Sequence, residues 1–162
     1  MINKEILREY FDYNPESGVV TWIKNPKRGQ KVLGKDFGSH CQGYLMGMFK
    51  RKTYKVHRLI WMWMTGSWPD KDVDHINGIR DDNRWCNLRL ADDTQNQQNA
   101  KMPKTNTSGV KGVSWHKRDK KWVVNLKVKG KNYCFGAFKD FELAELVATE
   151  ARDKYHGNFA RY

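Results

Sequence analysis

Val73-Asp74-His75-Ile76-Asn77-Gly78, then Asn83-Arg84-Trp85-Cys86-Asn87-Leu88-Arg89, then Thr94-Gln95-Asn96-Gln97-Gln98-Asn99, is the stretch whose reading decides the fold. Val73-Asp74-His75 reads as a short strand, and Asn77-Gly78 is a strong turn signal just after it, so His75 sits at a strand end. Leu88-Arg89-Leu90 is the returning strand. Asp92, Asp93 or Thr94 caps a helix that begins near Thr94 and carries Asn96 in its first turn. The order is strand, loop, strand, helix. Each polar residue of this unit has a separate chemical aptitude. An Asp anchors a divalent cation, a His beside it takes a proton from water near neutral pH, and two carboxamides orient the ensemble without adding charge.

With Asp74-His75-x-Asn77-Gly78, Asn83-x₃-Asn87-Leu88-Arg89 and Asn96 on the following helix, this segment resembles the HNH endonuclease family. The family pattern ends in His at the helical position. This chain has Asn96 there, as a subgroup of phage and intron-associated HNH enzymes does, so the motif reads H-N-N. The resemblance implies a ββα-metal core over residues 72–99 and hydrolysis of a DNA phosphodiester to 5′-phosphate and 3′-hydroxyl ends. It implies His75 as general base, Asn87 tying down the loop that fixes His75, and Asp74 and Asn96 as ligands of one divalent cation, Mg²⁺ or Mn²⁺. Many HNH proteins are stapled by a cysteine-bound zinc. Here Cys41, Cys86 and Cys134 lie far apart with no C-x₂-C pair, so no structural zinc and no disulfide framework is expected, and a reducing, cytoplasmic setting fits.

The chain of 162 residues carries 30 Lys and Arg against 18 Asp and Glu, a net charge of +12, which suits a phosphate-rich partner. Residues 101–162 hold 14 of those cations against 6 acids, so two thirds of the excess lies in the last third of the chain. That asymmetry points to a DNA-holding segment at the C-terminal end. The stretch Lys101-Met102-Pro103-Lys104-Thr105-Asn106-Thr107 is polar, basic and broken by Pro, and reads as a linker whose Lys101 and Lys104 are candidate phosphate contacts. It would separate a nuclease domain at 1–100 from a second domain at 108–162. No segment reads as a signal peptide and no apolar run approaches the ~18 residues of a membrane helix, so neither secretion nor membrane insertion is expected.

Upstream of the motif the chain reads as a β-rich platform. Ile6, Leu7, Tyr10 and Phe11 have helical spacing, Asn14-Pro15-Glu16-Ser17-Gly18 is a turn, and Val19 to Ile23 is a strand. Tyr44 to Phe49 and Thr53 to His57 flank Lys50-Arg51-Lys52, a hairpin with a basic tip suited to a phosphate backbone. Arg58 to Met64 reads as a buried helix, with His57 a packed residue at its entry.

Ser108 to Trp115, Lys121 to Val128 and Tyr133 to Phe138 read as three strands, and Asp140 caps a helix with Ala144, Val147, Ala148, Ala151 and Tyr155 on one face, closed by Gly157. Gly112-Val113-x-Trp115, Trp122-x-Val124-x-Leu126 and Phe135-Gly136-x-Phe138 resemble the AP2-type DNA-binding domain, which implies that one face of a three-stranded antiparallel sheet packs on the helix and the other enters the DNA major groove. By alternation, Trp122, Val124, Leu126 and Val128 meet the helix, and Lys121, Asn125, Lys127 and Lys129 face the other way. On the neighbouring strands Ser114, His116 and Asn132 are the comparable outward positions.

The whole is therefore expected to be an α+β protein that binds double-stranded DNA as a monomer, nicks it at a specific site and resembles a phage homing endonuclease. The competing class is a DNA-binding regulatory or architectural protein with an inactive nuclease core.

Overall fold

The computed structural model describes residues 2–27 and 29–161, and contacts divide it into two compact units, Met1–Ala91 and Asp92–Tyr162. Both mix helices with small antiparallel sheets.

The first unit opens with helix α1 (Lys4–Tyr10), capped by Asn3, whose side-chain oxygen accepts from the Ile6 amide at 3.0 Å. Strands β1 (Phe11–Tyr13) and β2 (Val20–Trp22) form a hairpin. Phe11 was read as helical, but the helix stops one residue earlier. Its side chain is buried against Trp22, Phe37 and Phe49, with ring centroids 4.4–4.9 Å apart. A second sheet follows in the order β3 (Ser39–Cys41), β4 (Tyr44–Phe49), β5 (Lys52–Lys55). The turn between β4 and β5 contains only Lys50 and Arg51, so Lys52 belongs to the strand and pairs with Phe49. Helix α2 (Val56–Thr65) starts earlier than its sequence pattern suggests and takes Val56 and His57 out of the expected strand. Both are buried, and the helix ends on Gly66 in the left-handed conformation. Strands β6 (Asp72–His75) and β7 (Leu88–Ala91) pair antiparallel, with Asp74 opposite Arg89 and His75 opposite Leu88. The core collects Leu7, Phe11, Phe49, Val56, Leu59, Ile60, Val73 and Leu88, each under a tenth exposed.

The second unit begins with helix α3 (Asp93–Asn99), closed at its start by a capping box. Asp92 accepts from the Gln95 amide at 2.9 Å, and the Gln95 side chain accepts from the Asp92 amide at 2.8 Å. Strands β8 (Val113–His116), β9 (Lys121–Val128) and β10 (Lys131–Phe138) form one antiparallel sheet with β9 in the centre. Helix α4 (Phe141–His156) lies on it, capped by Asp140, whose side chain accepts from the Leu143 amide at 2.8 Å. Val113, Val124, Ala144 and Ala148 form the buried seam. Tyr155, expected on that seam, is 44% exposed and only edges toward Phe135. The β9–β10 turn is Lys129-Gly130 with both φ positive, the arrangement that suits the twist of a two-residue hairpin.

Among the described residues no helix is long and apolar enough to cross a membrane.

Candidate active site

His75 ends β6 and is 4% exposed. Its Nε2 lies 3.1 Å from the side-chain oxygen of Asn83, a carboxamide that is itself 1% exposed. This contact ties the ring to the loop that follows β6. Burial, the largest influence, pushes the imidazole below its usual pKa. The Asn83 contact and Asp74, Asp82 and Asp81 pull the other way. His75 is thus neutral near pH 7.

His57 stands edge-on to the His75 ring at 4.9 Å, and Tyr44 faces both imidazoles. Burial first, then His75, Lys55 and Arg58, hold the His57 pKa down to about 3. An unfolded His57 takes a proton near pH 6.5 and the folded one does not, so stability is present above that pH and is lost as pH falls from about 6.5 toward 3, by an amount on the order of a few kcal/mol. Acid titration of the unfolding midpoint should show that loss, and His57→Leu should flatten it. An equally steep acid limb in the variant would assign the loss to other groups.

The loop between β6 and β7 is built by its asparagines. The Asn87 side-chain oxygen accepts from the Asn77 amide at 2.9 Å, and its Nδ2 donates to Asn77 Oδ1 at 3.0 Å and Asp82 O at 2.8 Å. Asp82, in turn, accepts from Asn77 Nδ2 at 2.6 Å and from Arg84 Nε at 2.8 Å. The N-terminal hairpin props this loop from outside. Tyr13 Oη donates to Asn83 O at 2.8 Å, and Trp85 N donates to Pro15 O at 3.0 Å. Gly18, at φ +76°, lies so close that a Cβ there would stand 2.6 Å from the Asn83–Arg84 backbone. Asn83 belongs to the Asn-x₃-Asn-Leu-Arg pattern, but its contact with His75 depends on a backbone path that only the folded loop provides.

Asp74 is half-buried, and its Oδ2 accepts from Arg89 Nε at 3.0 Å, with Arg89 Nη2 also 3.0 Å away. Asn96 is half-buried in α3 and belongs to the second unit, whereas Asp74, His75 and Asn87 belong to the first. Among the described residues no group of three or more His, Cys, Asp or Glu side chains is arranged to hold a metal ion. The Asp74 carboxylate is a hard oxygen donor of the kind Mg²⁺ takes.

The candidate DNA contacts fall on both units. Lys50, Arg51 and Lys52 are exposed, and Lys50 and Arg51 occupy the β4–β5 turn at φ 47° and 65°. Such turns favour Asn-Gly, because other side chains are strained there. A cavity of about 260 Å³ lined by Tyr10, Pro26, Lys27, Phe49, Lys50 and Arg51 opens beside them. Replacing Lys50-Arg51 by Asn-Gly should therefore stabilise the protein by about 1 kcal/mol. If the tip grips two phosphates, the same change lowers the salt slope of DNA binding by roughly 1.8. Parallel melts and salt titrations read both, and an unaltered slope would remove the tip from the DNA interface.

On the second unit Ser114, His116, Asn125, Lys127, Lys129 and Asn132 are exposed and Lys121 is half-exposed. The register sets Ser114 opposite Val123, His116 opposite Lys121 and Lys127 opposite Asn132, so these positions share one face, while Val124 and Leu126 on the other are buried. His116 is engaged with Asp119 at 3.3 Å, and Lys127 Nζ reaches Gln97 Oε1 at 3.4 Å. Lys101 and Lys104 are exposed in a segment without regular structure.

The buried histidine that ends a strand beside a carboxylate, in a loop closed by asparagines, lies in a segment that carries an HNH endonuclease domain. Residues 54–98 match the family model described as HNH endonuclease. Along most of its length the chain is also similar to Protein 3.8 of Escherichia phage T7, with 37% identity over 122 residues that make up 69% of this chain and 98% of that protein, which makes the two members of one family. No solved structure matches the chain. An HNH domain implies a nuclease that binds DNA, and HNH nucleases generally use a divalent metal.

Proposed function

We propose that this protein is a metal-dependent, site-specific DNA endonuclease of homing type, in which His75 is the general base. The observation that carries the reading is the state of His75: buried, neutral, and held through Nε2 by Asn83 at the end of a strand beside Asp74. His75 takes the proton of the water that attacks the scissile phosphorus. Asn87 keeps the loop closed through its three hydrogen bonds and so fixes the orientation of Asn83 and His75. Asp74 and Asn96 would hold one Mg²⁺ or Mn²⁺, completing a ββα-metal core. When bound, such an ion would supply positive charge against the negative charge that grows during hydrolysis. Arg89 orients Asp74 through their ion pair.

In this reading residues 1–100 form the nuclease domain, 101–107 a basic linker and 108–162 an AP2-like module. The sheet face bearing Ser114, His116, Lys121, Asn125, Lys127, Lys129 and Asn132 lies in the major groove, with Lys50, Arg51, Lys52, Lys101 and Lys104 on phosphates. The relation to a phage protein supports a host-cell cytoplasm as the setting. A monomer with one such centre cuts one strand per engagement. Supercoiled plasmid should accordingly turn into open circles that DNA ligase alone reseals, because the ends are 5′ phosphate and 3′ hydroxyl. Nicks that ligase cannot close would contradict the chemistry, and linear product at first turnover would contradict single-strand cutting.

A further inference from the structure

Tyr44, at the start of β4, is half-buried, with its ring 5.4 Å from the His57 imidazole and 6.1 Å from that of His75. Two cations from separate parts of the chain come to the same ring. Lys55 Nζ, from the end of the neighbouring strand β5, stands 4.5 Å from its centroid, and Arg80 Cζ, from the loop between β6 and β7, stands 4.9 Å away. Arg80 is steadied by a second contact, its Nη1 donating to Gln42 O at 3.4 Å in the β3–β4 turn. All of these residues belong to the first unit.

Lys55 and Arg80 are exposed, and among the described residues neither pairs with a carboxylate. The acids that neighbour His75 and Arg80 in sequence are engaged elsewhere, Asp74 with Arg89, Asp82 with Arg84, and Asp81 at 3.8 Å from His40. Attraction to an exposed ring is weak, and two like charges brought to one ring repel each other. Such a pair is completed by an anion. Duplex DNA supplies one at every nucleotide, and a planar guanidinium beside a compact ammonium suits the oxygens of a phosphodiester.

We propose that Tyr44 is a platform that holds Lys55 and Arg80 as a phosphate-binding pair beside His75, so that the strand to be cut is seated by its backbone at the general base. This rests on the reading of His75 as the nuclease centre. It gives two cations outside the basic hairpin tip a task in the reaction itself, with Tyr44 acting as a positioning residue through them.

The test uses the full chain with Lys55→Gln, Arg80→Gln, Arg80→Lys, Tyr44→Leu and Tyr44→Phe, each checked for folding by a thermal melt. Two quantities are read: the salt slope of duplex binding in EDTA, and the nicking rate at saturating plasmid in Mn²⁺. Lys55→Gln and Arg80→Gln should each lower the slope by about 0.9 and the rate by about tenfold, the scale of a lost hydrogen bond to a charged group. Arg80→Lys keeps the charge and should restore the slope. Tyr44→Leu leaves both charges, so it should lower the rate with little change in slope, and Tyr44→Phe, which keeps the ring, should restore the rate. In a Lys55→Gln/Arg80→Gln background Tyr44→Leu should slow nicking by no more than about twofold further. If Tyr44→Leu does not fold, the Lys55 and Arg80 variants decide. Folded Lys55→Gln and Arg80→Gln proteins with the wild-type slope, or with a lowered slope and the wild-type rate at saturation, overturn the proposal. So does a Tyr44→Leu loss that persists undiminished in the double background, which would assign the ring to packing alone. The slope is read without metal, so it decides the phosphate contact even if the wild-type protein nicks nothing, a result that would sink the nuclease reading by itself.

Discussion

His75→Ala is expected to lower the cleavage rate by about 10²–10⁴ while leaving duplex affinity nearly unchanged, because the imidazole moves a proton and does not bind phosphate. The ring is buried against His57 and Tyr44, so the truncation leaves a cavity and costs stability as well. Rates should therefore be compared at a temperature where circular dichroism shows the variant folded. Asn83→Ala should weaken cleavage less and in a diagnostic way. Without the Asn83 contact at Nε2 the imidazole is held less firmly, and the rate should fall while the metal dependence stays. A folded His75→Ala protein that turns over at a near-normal rate would remove His75 from the chemistry.

The second large effect is on the cation. Asn96→Ala should weaken metal use and cut activity sharply, whereas Asn96→His should keep metal-dependent cleavage and move the preference toward softer ions. A carboxamide oxygen suits Mg²⁺ or Mn²⁺, and an imidazole nitrogen suits Ni²⁺, Co²⁺ or Zn²⁺. Asp74→Ala should be at least as damaging, since it removes the one charged ligand and also the acceptor of Arg89 Nε. Cleavage rates across titrations of these ions check all three variants. Unaltered metal dependence in Asn96→Ala would mean that the helix residue is no ligand. Asn99, on the same helix, would become the next candidate.

Much of the fold was legible because local signals agreed. Asn77-Gly78 ended β6, the choice of Asp92, Asp93 or Thr94 as cap resolved to Asp92, and alternation along β9 placed Val124 and Leu126 inward. What was not legible depended on distance along the chain. The short strands Phe11–Tyr13 and Ser39–Cys41 owe their existence to partners in β2 and β4, not to any propensity of their own. Val56 and His57 alternate like a strand but wind into α2, where both are buried. Around the site, the residue types of Asp74, His75 and Asn87 announced themselves by spacing. Asn83 stood in the same pattern, but its contact with His75 was not legible, since it is made by a loop clamped by Tyr13 and by the turn carrying Gly18. Lys111 and Arg161 likewise read as surplus charge until their acceptors, the carbonyls of Gln98, Ala100 and Asn99, are known.

The central claim is that this chain cuts DNA by metal-dependent hydrolysis at the His75 centre. It is tested most directly by incubating supercoiled plasmid with the wild-type protein and with His75→Ala, purified in parallel, in Mg²⁺ or Mn²⁺ and in EDTA. The account predicts open circles from the wild type with either metal, intact plasmid in EDTA, and intact plasmid from the variant although both proteins bind duplex. Plasmid that stays supercoiled with the wild-type protein bound and metal present would contradict it and leave a DNA-binding protein with an inactive core. Equal nicking by His75→Ala would contradict the assigned centre.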